Sequence, residues 1–295
     1  MSSAFGRWVL AYRGARIGLI ACLLPLPLTG VLSAAIVVAA AIAKGWRVAV
    51  TDCAVAMLVL VGITFVAGGG WTQVAASGLS TWAVAVFLGA VTGAYGSLTL
   101  TLQVLIVLGL LGLVAFVLLA DDPVVFWERV LTDFAVQMQE MGVELNAPEV
   151  LVELAPIMTG LAGVSVITSS MLALVIGAWW AGGNGGPAFR DMFVNIRLGY
   201  VLGALALIAG VAALLLPGQL ASNALLLLGI GFVIQGLSVV HWLVSARGMP
   251  GIVLIPVYLP IFMGASITVM MLFLLATAGF VDNWYGLRRG PVGER

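Results

Sequence analysis

Charged side chains are scarce in this sequence of 295 residues, and their scarcity excludes a water-soluble protein. Only 8% of the residues are charged and 63% are apolar, with a mean hydropathy of +1.21, whereas a soluble domain has about 25% charged residues. No Asp, Glu, Lys, Arg or His occurs from Cys53 to Ala120. Because a spanning helix needs about 20 apolar residues, this stretch alone predicts more than one membrane crossing.

Side chains that perform catalysis or hold metal ions are also few. The chain has one histidine, His241, and two cysteines, Cys22 and Cys53, which lie inside or at the edge of apolar segments. No HExxH, CxxC, phosphate-binding or paired-carboxylate pattern lies inside an apolar segment. We therefore predict no enzyme activity, no catalytic residue, no metal site and no cofactor. The cysteines predict no disulfide framework, so the redox compartment stays open.

Apolar blocks separated by short turns predict an all-α, polytopic transmembrane bundle of about eight spans. Blocks of about 20 apolar residues fit helices rather than the short alternating strands of a barrel. The predicted spans are 17–43, 48–68, 74–94, 98–119, 156–181, 198–217, 221–245 and 252–280. They form an N-terminal membrane half at 17–119 and a C-terminal membrane half at 156–282, with a basic N-terminal segment at 1–16, an acidic connector at 120–155 and a basic tail at 283–295.

Proline interrupts the first and the last predicted span. Pro25 and Pro27 each remove a backbone donor from the first block, and Pro256 and Pro260 do so in the last. Broken helices in transporters often line a substrate cavity, whereas a plain kink is repaired by neighbouring helices. For 17–43 two interpretations stay open, one kinked span or a re-entrant hairpin.

The segment 121–153 differs from the rest of the chain in charge and in periodicity. It holds eight of the twelve acidic residues and a single base, Arg129. Large apolar residues recur there at intervals of three and four, which predicts an amphipathic helix at the membrane interface between the fourth and fifth spans. These residues are Trp127, Val130, Leu131, Phe134, Met138 and Met141. A docking surface for a basic protein partner is the alternative.

Polar side chains inside apolar spans are costly, and they indicate candidate ligand-binding positions. Gln235, Ser238 and His241 recur every three residues and so lie on one side of a single predicted helix. Asn223 begins the same span, and Asp282 follows the last apolar run. For His241 the alternative is an interfacial imidazole bonded to a backbone carbonyl.

Asp282 also has a structural interpretation. We predict that the last helix ends near Asp282, and that the carboxylate either pairs with Arg288 or Arg289 across a turn or caps the next turn. The rival is a cation-binding carboxylate that faces a cavity.

Lysine and arginine in short loops predict the orientation of the chain. With eight spans, the termini carry six of these residues and the opposite side carries five, which places the termini in the cytoplasm. The two sets are Arg7, Arg13, Arg16, Arg288, Arg289 and Arg295, against Lys44, Arg47, Arg190, Arg197 and Arg247. A re-entrant first block would instead place the loops at Lys44, Arg190 and Arg247 inside. Asp52 is expected to form an interfacial ion pair with Lys44 and Arg47.

Several short motifs occur in a fixed order along the chain. They are LPLPL at 24–28, FRDMFVNIRL at 189–198, Asn223, QGLSVVH at 235–241 and GFVDNWYGLR at 279–288. In this order they resemble the YybS-like family of bacterial integral membrane proteins, a domain of unknown function. That family is distantly similar to the substrate-binding membrane subunits of energy-coupling-factor transporters. The resemblance implies a multi-pass protein of the bacterial inner membrane that binds a small molecule.

Two functions follow as hypotheses. The first is a permease-like or small-molecule-binding membrane subunit whose cavity lies around the proline-broken spans and the Gln235 to His241 face. The second is a non-transporting scaffold or assembly partner that acts through the acidic segment 121–153. The expected partners are the lipid bilayer and a protein at that segment, with no nucleic acid, and the residues do not identify the small-molecule ligand.

Overall fold

The computed structural model describes residues 4–26, 28–142, 151–182, 189–216 and 218–288, and these residues form helices joined by turns, without a β-strand. They belong to two compact units. Unit 1 comprises Met1–Leu102 and Thr168–Ile196, and unit 2 comprises Gln103–Ile167 and Arg197–Arg295. The units therefore interleave along the chain, with two of their boundaries inside long helices.

Six helices of the described residues are long and apolar enough to cross a membrane. They are Trp46–Val66, Trp71–Tyr95, Leu98–Leu119, Ala155–Ala181, Leu220–Ala246 and Ala265–Tyr285. The predicted helical membrane class is confirmed, with six helices of spanning length where eight were predicted. Shorter apolar helices occupy Gly30–Lys44, Gly199–Leu215 and Gly251–Phe262.

The first predicted span is a helical hairpin. After α1 (Ala4–Ala11), α2 (Arg13–Leu23) and α3 (Gly30–Lys44) are separated by a turn that contains the exposed Pro25. The Ser33 hydroxyl donates to the Ile20 carbonyl at 2.8 Å, although one continuous helix would place these residues about 20 Å apart. A single span over 17–43 is therefore wrong, and α2 and α3 are each too short to cross. Pro27 lies outside the described residues.

The core of unit 1 forms around α3, in which every residue from Ser33 to Ala41 is buried. The helices α4 (Trp46–Val66) and α5 (Trp71–Tyr95) and the second half of α8 (Met158–Ala181) belong to the same unit. A Cβ at Gly89 of α5 would overlap Ala41, and one at Gly177 of α8 would overlap the Ala35 carbonyl. Small residues thus allow the helix backbones to approach closely, which is how helices associate without a hydrophobic driving force.

Unit 2 is organised by two helices that cross at glycines. It contains most of α6 (Leu98–Leu119), α7 (Pro123–Glu140), α10 (Gly199–Leu215), α11 (Leu220–Ala246) and α13 (Ala265–Tyr285), whereas α9 (Phe189–Val194) belongs to unit 1. A Cβ at Gly236 of α11 would overlap the Leu275 carbonyl, and one at Gly279 of α13 would overlap the Phe232 carbonyl. This close crossing brings the polar side chains of α11 next to the end of α13.

The last predicted span begins thirteen residues later than expected. Short helical turns occupy Gly251–Leu254, Ile255–Tyr258 (α12) and Leu259–Phe262, with Pro256 and Pro260 each in a first turn. Proline is tolerated there because the missing N–H has no partner inside the helix. The spanning helix α13 starts only after Gly264. The predicted break at these prolines is confirmed, whereas the prediction of one span over 252–280 is wrong.

The acidic connector contains an amphipathic helix, α7. The Asp122 side chain accepts the backbone N–H groups of Val124 and Val125 at 2.8 and 3.3 Å and so caps its N-terminus. Leu131 and Ala135 are buried, while Phe134 is exposed. Trp127 and Met138 are half-buried, whereas Val130 and Met141 are exposed, so the inward strip is narrower than the predicted apolar face. Residues 143–150 of the connector lie outside the described residues, and a location at the membrane interface stays a prediction.

Candidate functional site

Asp282 lies fully buried near the end of α13 and forms an ion pair with Arg288. Arg288 Nη2 lies 2.6 Å from Asp282 Oδ2, and its Nε donates to Oδ1 at 3.2 Å. Gly286, at φ +63°, ends the helix with its N–H on the Asp282 carbonyl, and this left-handed residue turns the chain so that Arg288 returns to the carboxylate. The predicted pairing is confirmed, and the helix ends at Tyr285.

Gln235 and Ser238 of α11 belong to the same buried network. The Gln235 Nε2 donates to Asp282 Oδ2 at 2.8 Å, and its Oε1 accepts the Leu198 N–H at 2.9 Å. Arg288 Nη1 donates to the Ser238 hydroxyl at 3.0 Å. The structure therefore brings together three of the five predicted ligand-binding residues, and their polar atoms bond to one another, to Arg288 and to the backbone.

Two members of this network were missed in the sequence. Asn283 accepts the Gly199 N–H at 2.8 Å and donates to the Gly199 carbonyl at 3.0 Å. Arg197 Nε lies 3.9 Å from Asp282 Oδ2. The available signal was the position of Asn283 directly after Asp282, at the end of the last apolar run, and of Arg197 at the beginning of an apolar block.

His241 is bonded to a different part of unit 2. Its Nε2 forms a hydrogen bond of 2.8 Å with the hydroxyl of Tyr258 in α12, and the two rings meet edge to face. This contact ties the end of α11 to the proline-broken segment. A shared face of α11 therefore does not mean a shared partner, since His241 bonds to Tyr258 and Gln235 bonds to Asp282.

Asn223 binds the beginning of α8 to α11. Its Oδ1 accepts the Gly160 N–H, and its Nδ2 donates to the carbonyls of Pro156 and Gln219 at 2.9 and 2.7 Å. The side chain is only 3% exposed. The Oδ1 of this amide thus satisfies a backbone N–H in the first turn of α8, where the helix itself supplies no acceptor.

Asn223 also lines a cavity of about 750 Å³ in unit 2, the unit 2 cavity. Apolar side chains of α6, α10 and α11 form most of its wall, including Leu110, Ala209 and Leu228. The polar side chains of its wall are Asp122, Thr159, Gln219 and Asn223. Thr159 accepts the indole N–H of Trp127 at 2.8 Å, so the beginning of α7 is held against the beginning of α8 at this wall.

A second buried carboxylate, Asp52, lies in unit 1. Its Oδ1 accepts from Arg13 Nε at 2.8 Å and its Oδ2 accepts from Arg16 Nε at 2.6 Å. The expected pairing with Lys44 and Arg47 is wrong, because the hairpin of α2 and α3 returns the beginning of α2 to the beginning of α4. For the same reason Arg13 and Arg16 lie at the same end of unit 1 as Lys44 and Arg47. The orientation prediction, which placed these two pairs on opposite sides of the membrane, is therefore wrong.

Among the described residues, no group of three His, Cys, Asp or Glu side chains is placed to hold a metal ion. Comparison of the chain with protein-family models, with curated proteins and with solved structures finds no match. The described residues thus form an α-helical protein with helices of membrane-spanning length and composition, a buried polar network around Asp282, and a largely apolar cavity lined in part by Asn223.

Proposed function

We propose that the protein is a small-molecule-binding membrane subunit, permease-like in character, and that the unit 2 cavity holds its ligand. The observation that carries the proposal is the wall of this cavity, which is apolar except for Asp122, Thr159, Gln219 and Asn223. Ligand sites of about 300–1,000 Å³ typically have apolar walls with a few polar groups that orient the ligand. The resemblance to the YybS-like family implies the same role.

The Asp282 network is the less suitable site for a ligand. Gln235, Ser238 and Asp282 already bond to Arg288 and to the Leu198 backbone. A ligand would have to displace one of these buried bonds and leave its partner unsatisfied, at about 1–3 kcal/mol or more for a charged group. We assign these residues to the packing of α11 against α13.

The chemistry of the wall favours a ligand with an apolar body and a hydrogen-bond-donating or cationic end. Asp122 is the charged residue of the described wall, and no lysine or arginine accompanies it there. Its Oδ1 caps α7, and its second oxygen offers acceptor capacity, as do the oxygens of Thr159 and Asn223. Apolar amines and related weak bases fit this pattern.

Thermal unfolding of the purified protein tests this assignment, because a ligand that binds only the folded state raises its stability. We expect an apolar amine from a panel that also holds vitamins, nucleosides and amino acids to raise Tm. Ala212→Trp fills the cavity and removes the shift, whereas Ala213→Trp, at the next position of α10 and outside the wall, retains it. Equal shifts in both variants would contradict the assignment.

A second pair of variants tests the polar contact. Asparagine caps helices as well as aspartate does, so Asp122→Asn removes the charge and keeps α7 capped. We expect it to weaken binding of the amine, while Asp121→Asn, outside the wall, leaves binding unchanged. A response that survives Asp122→Asn would exclude a charge-based contact.

We further propose that the end of unit 1 with Arg13, Arg16, Lys44 and Arg47 faces the cytoplasm of a bacterial cell, because cytoplasmic loops are enriched in lysine and arginine. In a variant without Cys22 and Cys53, a cysteine at Lys44 should react with a membrane-impermeant reagent only after the membrane is opened. Labelling in intact cells would indicate the opposite orientation.

One observation favours the scaffold as a second candidate. Phe126, Val130 and Phe134 recur every four residues on α7 and are 44%, 39% and 45% exposed, beside the acidic Glu128 and Asp133. An apolar and basic protein segment would match this stripe. A photo-crosslinking residue at Val130 should then capture one protein, and one at Val136 on another face should not. Crosslinks to lipid alone would place α7 on the membrane instead.

A further inference from the structure

An apolar groove runs along α4 and α5 in unit 1. It has a volume of about 680 Å³. All of its lining side chains are apolar, with Trp46, Val50 and Met57 on α4 and Leu79, Trp82 and Phe87 on α5 among them. No polar side chain of the described residues lines it, so it differs in chemistry from the unit 2 cavity.

The groove has the dimensions of a hydrocarbon chain. Met57 lies eleven residues after Trp46, which is about 16 Å along the helix and roughly half the thickness of the hydrocarbon core. Met57 and Trp82 both lie beside Gly78 at the inner end. The Trp82 indole N–H donates to the Ser33 hydroxyl at 3.0 Å, and this bond fixes the ring that closes the groove.

Basic side chains lie at the other end of the groove. Trp46 is the first residue of α4, and the Arg47 guanidinium lies 5.4 Å from the centre of its ring. Lys44 and Arg47 are exposed, and Arg13 and Arg16 contact Asp52 in the second turn of α4. Four cations and one carboxylate leave a charge of +3 at this end, and Asp52 is the only acidic residue before Asp121.

We infer that this groove binds one acyl chain of an anionic phospholipid, with the lipid phosphate on Lys44 and Arg47. The apolar wall accepts the chain, and tryptophan at the end of a span occupies the headgroup level. Basic clusters at that level recruit anionic headgroups. A zwitterionic headgroup carries its own cation and gains far less from these two residues.

Native mass spectrometry of the delipidated full-length protein measures this preference directly. Phosphatidylglycerol and phosphatidylcholine with identical acyl chains are titrated separately, and the affinity of the first bound lipid is compared. We expect phosphatidylglycerol to bind about 30-fold more tightly, as two cationic contacts imply. Equal affinities for the two lipids would overturn the inference.

Variants locate the lipid. The double change Lys44→Gln and Arg47→Gln, at exposed positions, should lower the affinity for phosphatidylglycerol to that for phosphatidylcholine, whereas Arg247→Gln at the end of α11 should not. Ala54→Trp fills the groove and should remove the tight site, whereas Val55→Trp, at the next position and outside the lining, should retain it. A preference that survives the double change or Ala54→Trp would overturn the inference. If Ala54→Trp fails to fold, the double change decides alone.

Discussion

Two carboxylates are buried among the described residues, Asp52 in unit 1 and Asp282 in unit 2, and each contacts two arginines. Asp52 and Asp282 are both fully buried. In each case one arginine is buried, with 4% of the Arg16 side chain and 7% of the Arg288 side chain exposed. The other arginine is more accessible, at 60% for Arg13 and 40% for Arg197.

The difference lies in what else each carboxylate holds. Arg13 and Arg16 both belong to α2, so Asp52 joins one helix to α4. Asp282 joins α13 to the returning tail through Arg288 and to α11 through Gln235, which also holds the Leu198 backbone. In unit 1 the ion pairs therefore join α2 to α4, and Arg16 also donates to the Leu10 carbonyl of α1 at 3.2 Å. In unit 2 they join α11, α13, the returning tail and the Leu198 backbone. Loss of the carboxylate should affect unit 2 more.

The largest expected effect is that of removing a carboxylate. Asp282→Ala leaves Arg288 buried without its counter-charge, and breaking a buried pair in this way costs about 3–5 kcal/mol. We expect Asp52→Ala to cost less, since Asp52 joins fewer segments. Unfolding of the purified protein in denaturing detergent gives both values. The comparison fails if Asp52→Ala is the more damaging change.

Removal of the charge from both partners sharpens this result. The double variant Asp282→Asn and Arg288→Gln leaves no buried charge, so it should recover part of the stability that Asp282→Asn alone loses. Additive losses would show that the two side chains act independently, against the geometry of the pair.

The next effect separates the buried arginine from the exposed one on the same carboxylate. Arg16→Gln should destabilise unit 1 by about 3 kcal/mol, because it leaves Asp52 with less compensation in the interior. Arg13→Gln should cost no more than about 1 kcal/mol, since the Arg13 side chain is mostly in contact with solvent. Equal losses in the same unfolding assay would mean that burial does not set the strength of these bonds.

A smaller effect tests the helix crossing that supports the Asp282 network. Gly236→Ala introduces a methyl group against the Leu275 carbonyl and should cost about 1–3 kcal/mol. Gly229→Ala on the same helix meets nothing within 4 Å and should be neutral or slightly stabilising. If the two variants have the same free energy of unfolding, the helix crossing in unit 2 is looser than the structure shows.

The smallest expected effect concerns Ser238. Ser238→Ala removes the acceptor of Arg288 Nη1 and should cost about 1 kcal/mol, while Arg288 keeps its bonds to Asp282. Ser222→Ala on the same helix is the matched control and should change the midpoint of unfolding little. A loss as large as that of Asp282→Ala would make Ser238 a principal member of the network.

The two carboxylates also differ in how far the sequence predicts their partners. Arg288 follows Asp282 by six residues with Gly286 between them, so a local turn suffices to form the pair, and it was predicted. Arg13 and Arg16 precede Asp52 by 39 and 36 residues. Their pairing depends on the hairpin of α2 and α3, and nearness in the chain pointed to Lys44 and Arg47 instead.

Helical periodicity had a similar limit at α11. The three-residue spacing predicted that Gln235, Ser238 and His241 share one side of the helix, and Gln235 and Ser238 do meet in one network. His241 lies one turn further along, where the proline-broken segment supplies Tyr258. Spacing describes a face of a helix, but which neighbour meets each turn of that face depends on packing.

The sequence by itself determined the class of this protein, because its long stretches without charge are too apolar to be exposed to water. In lipid these stretches satisfy their backbone groups by forming helices. The sequence also determined the breaks at Pro256 and Pro260, since each proline removes a hydrogen-bond donor from its own backbone. Only the tertiary structure decided that the first block folds back as a hairpin, which side chains neutralise Asp52, and where cavities remain, because these depend on contacts between residues far apart in the chain.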